Sequence, residues 1–228
     1  MKIIWLGQAG FLLQKGEKTI LIDPYLSDAC GLENPKSHRR TPLDERYLKI
    51  RPDVILLTHE HADHTDLHTL CHYLPGQGGA LVLAAANAWS KVRTLGGDNN
   101  YVWFRPGTQW RWEGITFTAV PAEHSDPESI GVIVDDGQKK YYFTGDTLLN
   151  DRIFPYLPKD LYAVFLPING KGNNMNPEDA ACFAARTGAK YSVPVHFGMF
   201  DTLDPTVFSL ENRVIPSVYQ PVFEEEEK

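Results

Sequence analysis

The sequence has few cysteines and no long apolar run, and each shortage excludes a class of protein. Its three cysteines in 228 residues are too few and too scattered for a disulfide framework or a thiolate zinc site. No apolar stretch approaches the roughly 20 residues that a membrane-spanning helix needs, and the opening residues, MKIIWLGQAG, show no export signal. We therefore expect a cytoplasmic protein with no membrane partner, in which Cys30, Cys71 and Cys182 are small core residues.

Positive charge is also scarce. Lys and Arg number 22 against 29 Asp and Glu, so the formal net charge is −7. No basic field is present to attract a polyanion, which predicts that nucleic acid is not a partner. A small anionic substrate stays compatible with this charge, because bound metal ions add positive charge that the count omits. The acidic residues 224–228 are expected to form a disordered tail.

The remaining composition is that of an ordinary globular protein. Hydrophobic residues make up 43% and charged residues 22% of the chain, and the length suits one domain over 1–228. Short apolar runs bounded by Gly and Pro predict strands at 2–6, 11–14, 19–22, 54–57, 81–85, 102–104, 109–112, 115–120, 130–134, 140–144, 161–166, 191–195 and 218–222. Helices are predicted at 63–73, 87–95, 177–187 and 205–213. Many strands with interspersed helices predict an α+β protein whose sheets are covered by helices.

The motif that carries chemistry follows the apolar strand at 54–57 and reads Thr-His-Glu-His-Ala-Asp-His over 58–64. His59 and His61 are two residues apart, so in an extended segment both imidazoles project to the same side. Asp63 and His64 fall where the next helix is predicted to begin. Three imidazoles and a carboxylate within six residues match the ligand preference of Zn²⁺, Mn²⁺ or Fe²⁺.

Other candidate ligands also follow predicted strands. His124 follows the strand at 115–120, Asp146 the strand at 140–144, and His196 the strand at 191–195. Ligand sites collect at strand ends in sheet-based folds, which favours all three as further metal ligands. Asp23 also ends a strand and is a candidate to orient a ligand imidazole, because a metal-bound histidine usually donates its other N–H to an oxygen.

Together these residues resemble the metallo-β-lactamase superfamily. Its HxHxDH motif matches positions 59–64, and its later ligands match His124, Asp146 and His196 in the same order. The resemblance implies a four-layer αββα sandwich in a single domain, with a dinuclear metal site at one edge of the two sheets. It implies that one metal is held by His59, His61 and His124 and the other by Asp63, His64 and His196, with Asp146 as the bridge.

Five flanking segments look like the L-ascorbate-6-phosphate lactonase branch of that superfamily: WLGQAGF at 5–11, IDPY at 22–25, FTGDT at 143–147, LPINGKGNN at 166–174 and VPVHFGMF at 193–200. This likeness implies a metal-dependent hydrolase in which metal-bound hydroxide opens the lactone or ester of a phosphorylated sugar acid. Asp63 would be the catalytic residue, orienting the hydroxide and later passing a proton to the leaving oxygen.

The loop at 169–176 is a candidate for the anionic part of the substrate. Lys171, Asn173 and Asn174 lie in an Asn- and Gly-rich stretch before the predicted helix at 177–187, where glycines permit close approach and a helix N-terminus favours phosphate. A purely structural turn is the alternative. His68 and His72 are expected on a solvated helix face. The basic triplet 38–40 is either a surface loop or a loop over the site.

Three other functions stay open on the sequence. A dinuclear metal pair can also cleave phosphodiesters. Flavo-di-iron proteins use the same scaffold for redox chemistry, but they have Glu where this chain has His61. A non-catalytic scaffold is the third, although such relatives usually lose ligands that this chain keeps. The two divalent ions could be Zn or Mn, and a homo-oligomer is possible.

Overall fold

The computed structural model of the chain describes residues 1–76 and 78–224. The predicted disordered tail at 224–228 lies outside these residues except for Glu224, whose carboxylate is 3.5 Å from the Lys2 ammonium. The described chain divides into two compact units. The first comprises Met1–Trp103, Gly198–Thr202 and the described residues from Pro216 onward, and the second comprises Phe104–Phe197 and Leu203–Ile215.

Thirteen strands are present in the described residues: β1 (Lys2–Gly7), β2 (Gly10–Lys15), β3 (Lys18–Ile22), β4 (Val54–Leu57), β5 (Leu81–Ala84), β6 (Asn100–Trp103), β7 (Gln109–Trp112), β8 (Ile115–Pro121), β9 (Ile130–Asp135), β10 (Lys140–Phe143), β11 (Leu161–Pro167), β12 (Tyr191–Val195) and β13 (Pro221–Phe223). The α-helices are α1 (Ala29–Glu33), α2 (Leu67–Leu70), α3 (Ala86–Val92) and α4 (Pro177–Thr187). Short 3₁₀ turns occupy Pro35–Ser37, Glu45–Lys49, Arg93–Leu95, Phe154–Tyr156 and Pro205–Val207.

The first unit is built on a seven-stranded sheet in the order β13-β1-β2-β3-β4-β5-β6. β1 and β3 are both antiparallel to β2, and β3 to β6 are parallel to one another. Consequently β1, β3 and β4 run in the same direction and end at the same edge of the sheet. β4 and β5 are apolar at every position and fully buried, as the continuous runs in the sequence predict.

The second unit is built on a six-stranded sheet in the order β12-β11-β10-β9-β8-β7. β7 to β10 pair antiparallel, and β10, β11 and β12 pair parallel. The carboxyl ends of β8, β10 and β12 therefore meet at one edge. Helix α4 lies against this sheet, where its Phe183 ring packs 6.4 Å from the Tyr142 ring, centroid to centroid. Two sheets with helices beside them are the predicted α+β architecture.

Two predicted helices are much shorter than expected. Of the helix predicted at 63–73, only α2 (Leu67–Leu70) forms. Residues 61–65 form a turn instead, in which the His64 and Thr65 amides both donate to the His61 carbonyl. The Asp66 side chain then accepts from the His68 amide and caps the helix at its start. The helix predicted at 205–213 is a single 3₁₀ turn, Pro205–Val207.

The prediction that the cysteines are core residues is wrong for Cys71 and Cys182, which are exposed, while Cys30 is partly buried. Among the described residues, no helix is long and apolar enough to cross a membrane.

Candidate metal centre

The first unit brings four predicted ligands together in the turn that follows β4. His59 and His64 are fully buried, and their rings lie 3.9 Å apart, centroid to centroid. The His59 Nε2 and His61 Nδ1 atoms are 3.0 Å apart, and His64 Nε2 is 3.7 Å from Asp63 Oδ2. The turn at 61–65 therefore gathers imidazoles and a carboxylate within a few ångströms.

A network on the Asp23 carboxylate sets the orientation of two of these histidines. Thr58 donates its hydroxyl proton to Asp23 Oδ2 over 2.5 Å, so its oxygen can only accept from His59 Nδ1, 3.1 Å away. His64 Nδ1 lies 2.8 Å from the same Asp23 oxygen and donates to it. Both imidazoles consequently carry their proton on Nδ1 and leave Nε2 as the basic nitrogen, which is the arrangement a metal ligand needs.

Gln8 is a residue of this half-site that the sequence analysis did not single out. Its side-chain amide donates to Asp63 Oδ2 over 2.8 Å, and its backbone carbonyl accepts from the Trp5 indole over 2.9 Å. The side chain is 2% exposed. A polar residue between Gly7 and Gly10, directly after an apolar strand, was the signal in the sequence that could have found it.

The second unit brings the other three predicted ligands together. His124, Asp146 and His196 follow β8, β10 and β12, whose carboxyl ends share one edge of the sheet. Asp146 Oδ2 lies 3.2 Å from His196 Nε2 and 3.8 Å from His124 Nε2. One carboxylate oxygen thus faces the Nε2 atoms of both histidines.

The loop before α4 touches two of these residues. The Asn173 carbonyl lies 3.2 Å from His124 Nδ1, and the Asn174 side-chain amide donates to Asp146 Oδ2 over 2.8 Å. Asn174 is 5% exposed, whereas Asn173 and Lys171 are exposed. Two of the three predicted substrate contacts therefore also touch predicted metal ligands, and Lys171 reaches the surface.

The donor set of each unit fits a divalent metal. Two nitrogen ligands of one tetrahedral Zn²⁺ ion lie about 3.3 Å apart. The 3.0 Å separation of His59 Nε2 from His61 Nδ1 and the 3.2 Å separation of His196 Nε2 from Asp146 Oδ2 are close to that distance. Imidazole mixed with carboxylate suits Zn²⁺ and Mn²⁺ alike. Metal identity and number stay predictions.

Left-handed backbone is concentrated at these residues. The φ angles are 53° at Gln8, 41° at Asp23, 62° at Asn173 and 59° at His196. Residues other than glycine adopt such angles at a cost of about 1 kcal/mol or more, and strain of this kind clusters at functional sites.

Other basic and histidine side chains of the first unit have different surroundings. His68 and His72 are exposed. In the basic triplet, His38 pairs with Asp28 at 2.7 Å, and this hydrogen bond is the main cause of the lowered pKa of the Asp28 carboxyl. Arg39 donates to the Tyr25 carbonyl and the Tyr219 hydroxyl. The triplet therefore ties its loop to neighbouring segments of the unit.

Lys91 is a second residue that sequence reasoning missed. Its ammonium, on α3, donates to the Glu60 carbonyl inside the motif over 2.8 Å. Lys91 also lines a cavity of about 180 Å³ with Ala62 and Thr65. Nothing local in the sequence marks this lysine, because the contact spans 31 residues.

Comparison with known proteins places the chain among related hydrolases. Residues 18–197 match the family described as Beta-lactamase superfamily domain. A UPF0173 metal-dependent hydrolase of Methanopyrus kandleri is 31% identical over 228 residues, which cover 92% of this chain and 91% of that protein. A UPF0173 metal-dependent hydrolase of Deinococcus radiodurans is 29% identical over 222 residues, with coverage of 92% and 91%.

The fold has a counterpart among solved structures. Igni18, described as a metallo hydrolase from the hyperthermophilic archaeon Ignicoccus hospitalis, superposes with a TM-score of 0.76 over 99% of each chain. The two sequences are 21% identical, so this likeness concerns the fold alone.

Proposed function

Since the chain belongs to the metallo-β-lactamase superfamily of metal-dependent hydrolases, we propose that it hydrolyses a lactone or ester of a small anionic substrate with the help of two divalent ions. The family match and the structural superposition confirm the predicted fold, which is two sheets flanked by helices. The bond that is cut, the substrate and the metals belong to the proposal. The lactonase-like segments around the ligands support the lactone, and their likeness to an enzyme for a phosphorylated sugar acid supports an anionic substrate.

The observation that carries the proposal is the orientation of the buried imidazoles. Asp23 accepts the Nδ1 proton of His64 directly, and Thr58 accepts that of His59. In the second unit the Asn173 carbonyl does the same for His124. All three histidines are thereby prepared to bind a cation through Nε2, which a structural histidine does not require.

The proposed ligands are the seven that the superfamily motif implies: His59, His61 and His124 for one ion, Asp63, His64 and His196 for the other, with Asp146 shared. When bound, two divalent ions polarise a carbonyl oxygen and lower the pKa of water toward neutrality. Zn²⁺ and Mn²⁺ are the candidates.

Asp63 is the proposed catalytic residue. Gln8 donates to its Oδ2 atom, which holds the carboxylate in one orientation. Asp63 Oδ1 then takes the proton of the attacking water and returns it to the leaving oxygen when the ester bond breaks. In a lactone the leaving oxygen stays tethered to the product, so ring opening needs no departure step.

Lys171 is the proposed contact for the anionic group. This residue is exposed in the loop before α4. The N-terminus of α4 attracts an anionic group less than its position suggests. Asn176 already accepts from the Asp179 amide, and two acidic residues, Glu178 and Asp179, occupy the first turn. Asn173, which is exposed beside Lys171, is the proposed neutral partner.

The test is a substrate panel on metal-reconstituted protein. We expect turnover of a phosphorylated lactone, and we expect Lys171→Ala to raise KM for it while barely changing KM for the unphosphorylated lactone. Lys159→Ala, another exposed lysine of the second unit, is the matched control and should change neither. Equal loss on both lactones would assign the loop to the metal centre instead.

The same panel separates the other functions. Turnover of a bis-nitrophenyl phosphodiester without any lactone turnover would make the protein a phosphodiesterase. Absence of bound metal after reconstitution, together with no turnover, would leave a non-catalytic scaffold. A redox-active di-iron protein would be recognised by iron retention and a reducible visible absorption band.

A further inference from the structure

We propose that residues 173–174 position the metal ligands of the second unit, with the Asn174 side chain holding Asp146 and the Asn173 carbonyl holding His124. The inference rests on the proposed function, since it concerns ligands of the metals proposed there. It gives Asn174 a role different from the substrate contact that the sequence suggests.

The burial of Asn174 is the first step of the argument. The residue is 5% exposed, and its side-chain amide nitrogen donates to Asp146 Oδ2 over 2.8 Å. Within the described residues its Oδ1 atom accepts no hydrogen bond. Burying an amide whose oxygen accepts no hydrogen bond costs free energy. The hydrogen bond to Asp146 is the interaction of this side chain that offsets part of that cost.

The second step concerns the carboxylate that Asn174 contacts. Asp146 Oδ2 is the oxygen that also lies 3.2 Å from His196 Nε2. A donor on this oxygen restricts rotation of the carboxylate. Because a carboxylate can serve as a metal ligand only while it keeps its orientation, loss of the Asn174 donor is expected to weaken metal binding rather than folding.

The third step is the neighbouring backbone. Asn173 has a φ of 62°, and its carbonyl lies 3.2 Å from His124 Nδ1. A carbonyl can only accept, so this contact places the His124 proton on Nδ1 and leaves Nε2 for a cation. The adjacent Met175 amide donates to the Thr147 carbonyl over 3.0 Å, which fastens the segment to the chain just after Asp146. Two consecutive residues thus hold two ligands.

The experiment measures metal affinity, by competition of Zn²⁺ and Co²⁺ between the protein and a chromophoric chelator. The variants are Asn174→Ala and the volume-filling Asn174→Leu. In both, we expect the affinity for the more weakly bound of the two ions to fall about 10- to 100-fold. The visible absorption of the Co²⁺ form should change as well. The melting temperature in EDTA should stay within about 2 °C of the parent, because the metal-free fold does not depend on this donor.

Two variants of the same segment serve as controls. Asn173→Gly removes the side chain but keeps the carbonyl and suits a positive φ, so its metal affinity should equal that of the parent protein. Asn176→Ala removes the cap of α4 and touches no proposed ligand, so it should lower the melting temperature in EDTA and leave the metal affinity unchanged.

Each outcome decides the inference. Asn174 variants that bind both ions within twofold of the parent overturn it. It is also overturned if both Asn174 variants lose the metal-free fold, since the residue is then structural. A parent protein that binds no ion in the titration refutes the proposed function, and with it this inference. A normal titration of the parent beside normal Asn174 variants refutes the positioning role alone.

Discussion

Every histidine has two ring nitrogens, and the partner of one decides the use of the other. In the first unit, Asp23 and Thr58 receive the Nδ1 protons of His64 and His59. Asp23 reaches both because β3 and β4 are parallel neighbours, and its amide donates to the Leu56 carbonyl at the strand end. A single carboxylate at a strand end therefore orients two imidazoles.

The role of Asp63 is tested by the substitution Asp63→Asn. It nearly preserves shape but removes the charge and the basic oxygen, so we expect kcat on a lactone to fall about 100-fold or more. His68→Ala is the control, because this exposed residue of α2 is only five positions away and contributes nothing to the proposed chemistry. A loss of activity in His68→Ala as large as that in Asp63→Asn would contradict the assignment.

The thiol of Cys30 is expected to be the slowest of the three to react. Burial, and after it the negative charge of Asp63, raises the pKa of the Cys30 thiol to about 12. Only the thiolate is nucleophilic, so at pH 8 Cys30 should be alkylated by iodoacetamide at least about 100-fold more slowly than Cys71 and Cys182, which are exposed. Peptide mass spectrometry over time measures the three rates.

The pH dependence of that labelling has a definite sign. A pKa raised above the usual thiol range means that the Cys30 rate keeps rising with pH toward about 12. In urea all three cysteines should react at similar rates. Rapid labelling of Cys30 in the folded protein at pH 8 would show that it is neither buried nor close to negative charge.

At the scale of elements, helix α4 has local sequence signals that determine where it begins and where it ends. Asn176 caps it by accepting from the Asp179 amide, Pro177 occupies the first position, and Gly188 ends it in the left-handed conformation. Asn176→Ala should therefore cost about 1 kcal/mol of unfolding free energy. Thermal unfolding should show this as a fall of about 2–4 °C in Tm.

The conservative variant Asn176→Ser is the control for that prediction. Serine also caps helices, so its melting temperature should stay near that of the parent protein. If Asn176→Ser is as destabilised as Asn176→Ala, the side chain stabilises the protein by some contact other than the cap.

At the scale of the whole molecule, metal binding should be linked to folding. Each site that is exposed to its ion at 100 times the dissociation constant stabilises the folded chain by about 2.7 kcal/mol. For a chain of this size, removal of the ions by EDTA should then lower Tm by about 5–10 °C for each ion lost. Differential scanning calorimetry before chelation, after it, and after return of Zn²⁺ or Mn²⁺ measures the shift.

A matched variant makes the calorimetry specific. Asp146→Asn weakens the proposed shared ligand, so its Tm should respond less to EDTA than that of the parent protein. An unchanged parent Tm across all three conditions, in protein whose metal content has been measured, would contradict the linkage.

Local signals in the sequence determined much of the fold. β4 and β5 are continuous apolar runs, and α4 has its cap, proline and terminal glycine, so both kinds of element are found where they were predicted. The helix predicted at 63–73 begins later than expected, because residues 61–65 form a turn and the Asp66 side chain caps the helix that starts at Leu67.

The sequence by itself determined the proposed ligand types, because seven His and Asp positions at strand ends form a pattern that can be read along the chain. Only the tertiary structure decided what surrounds them. Gln8 contacts Asp63 across 55 residues, and Asn174 contacts Asp146 across 28. Such pairs meet only because co-directional strands end at one edge of a sheet, and strand order is set by long-range pairing that no local pattern encodes.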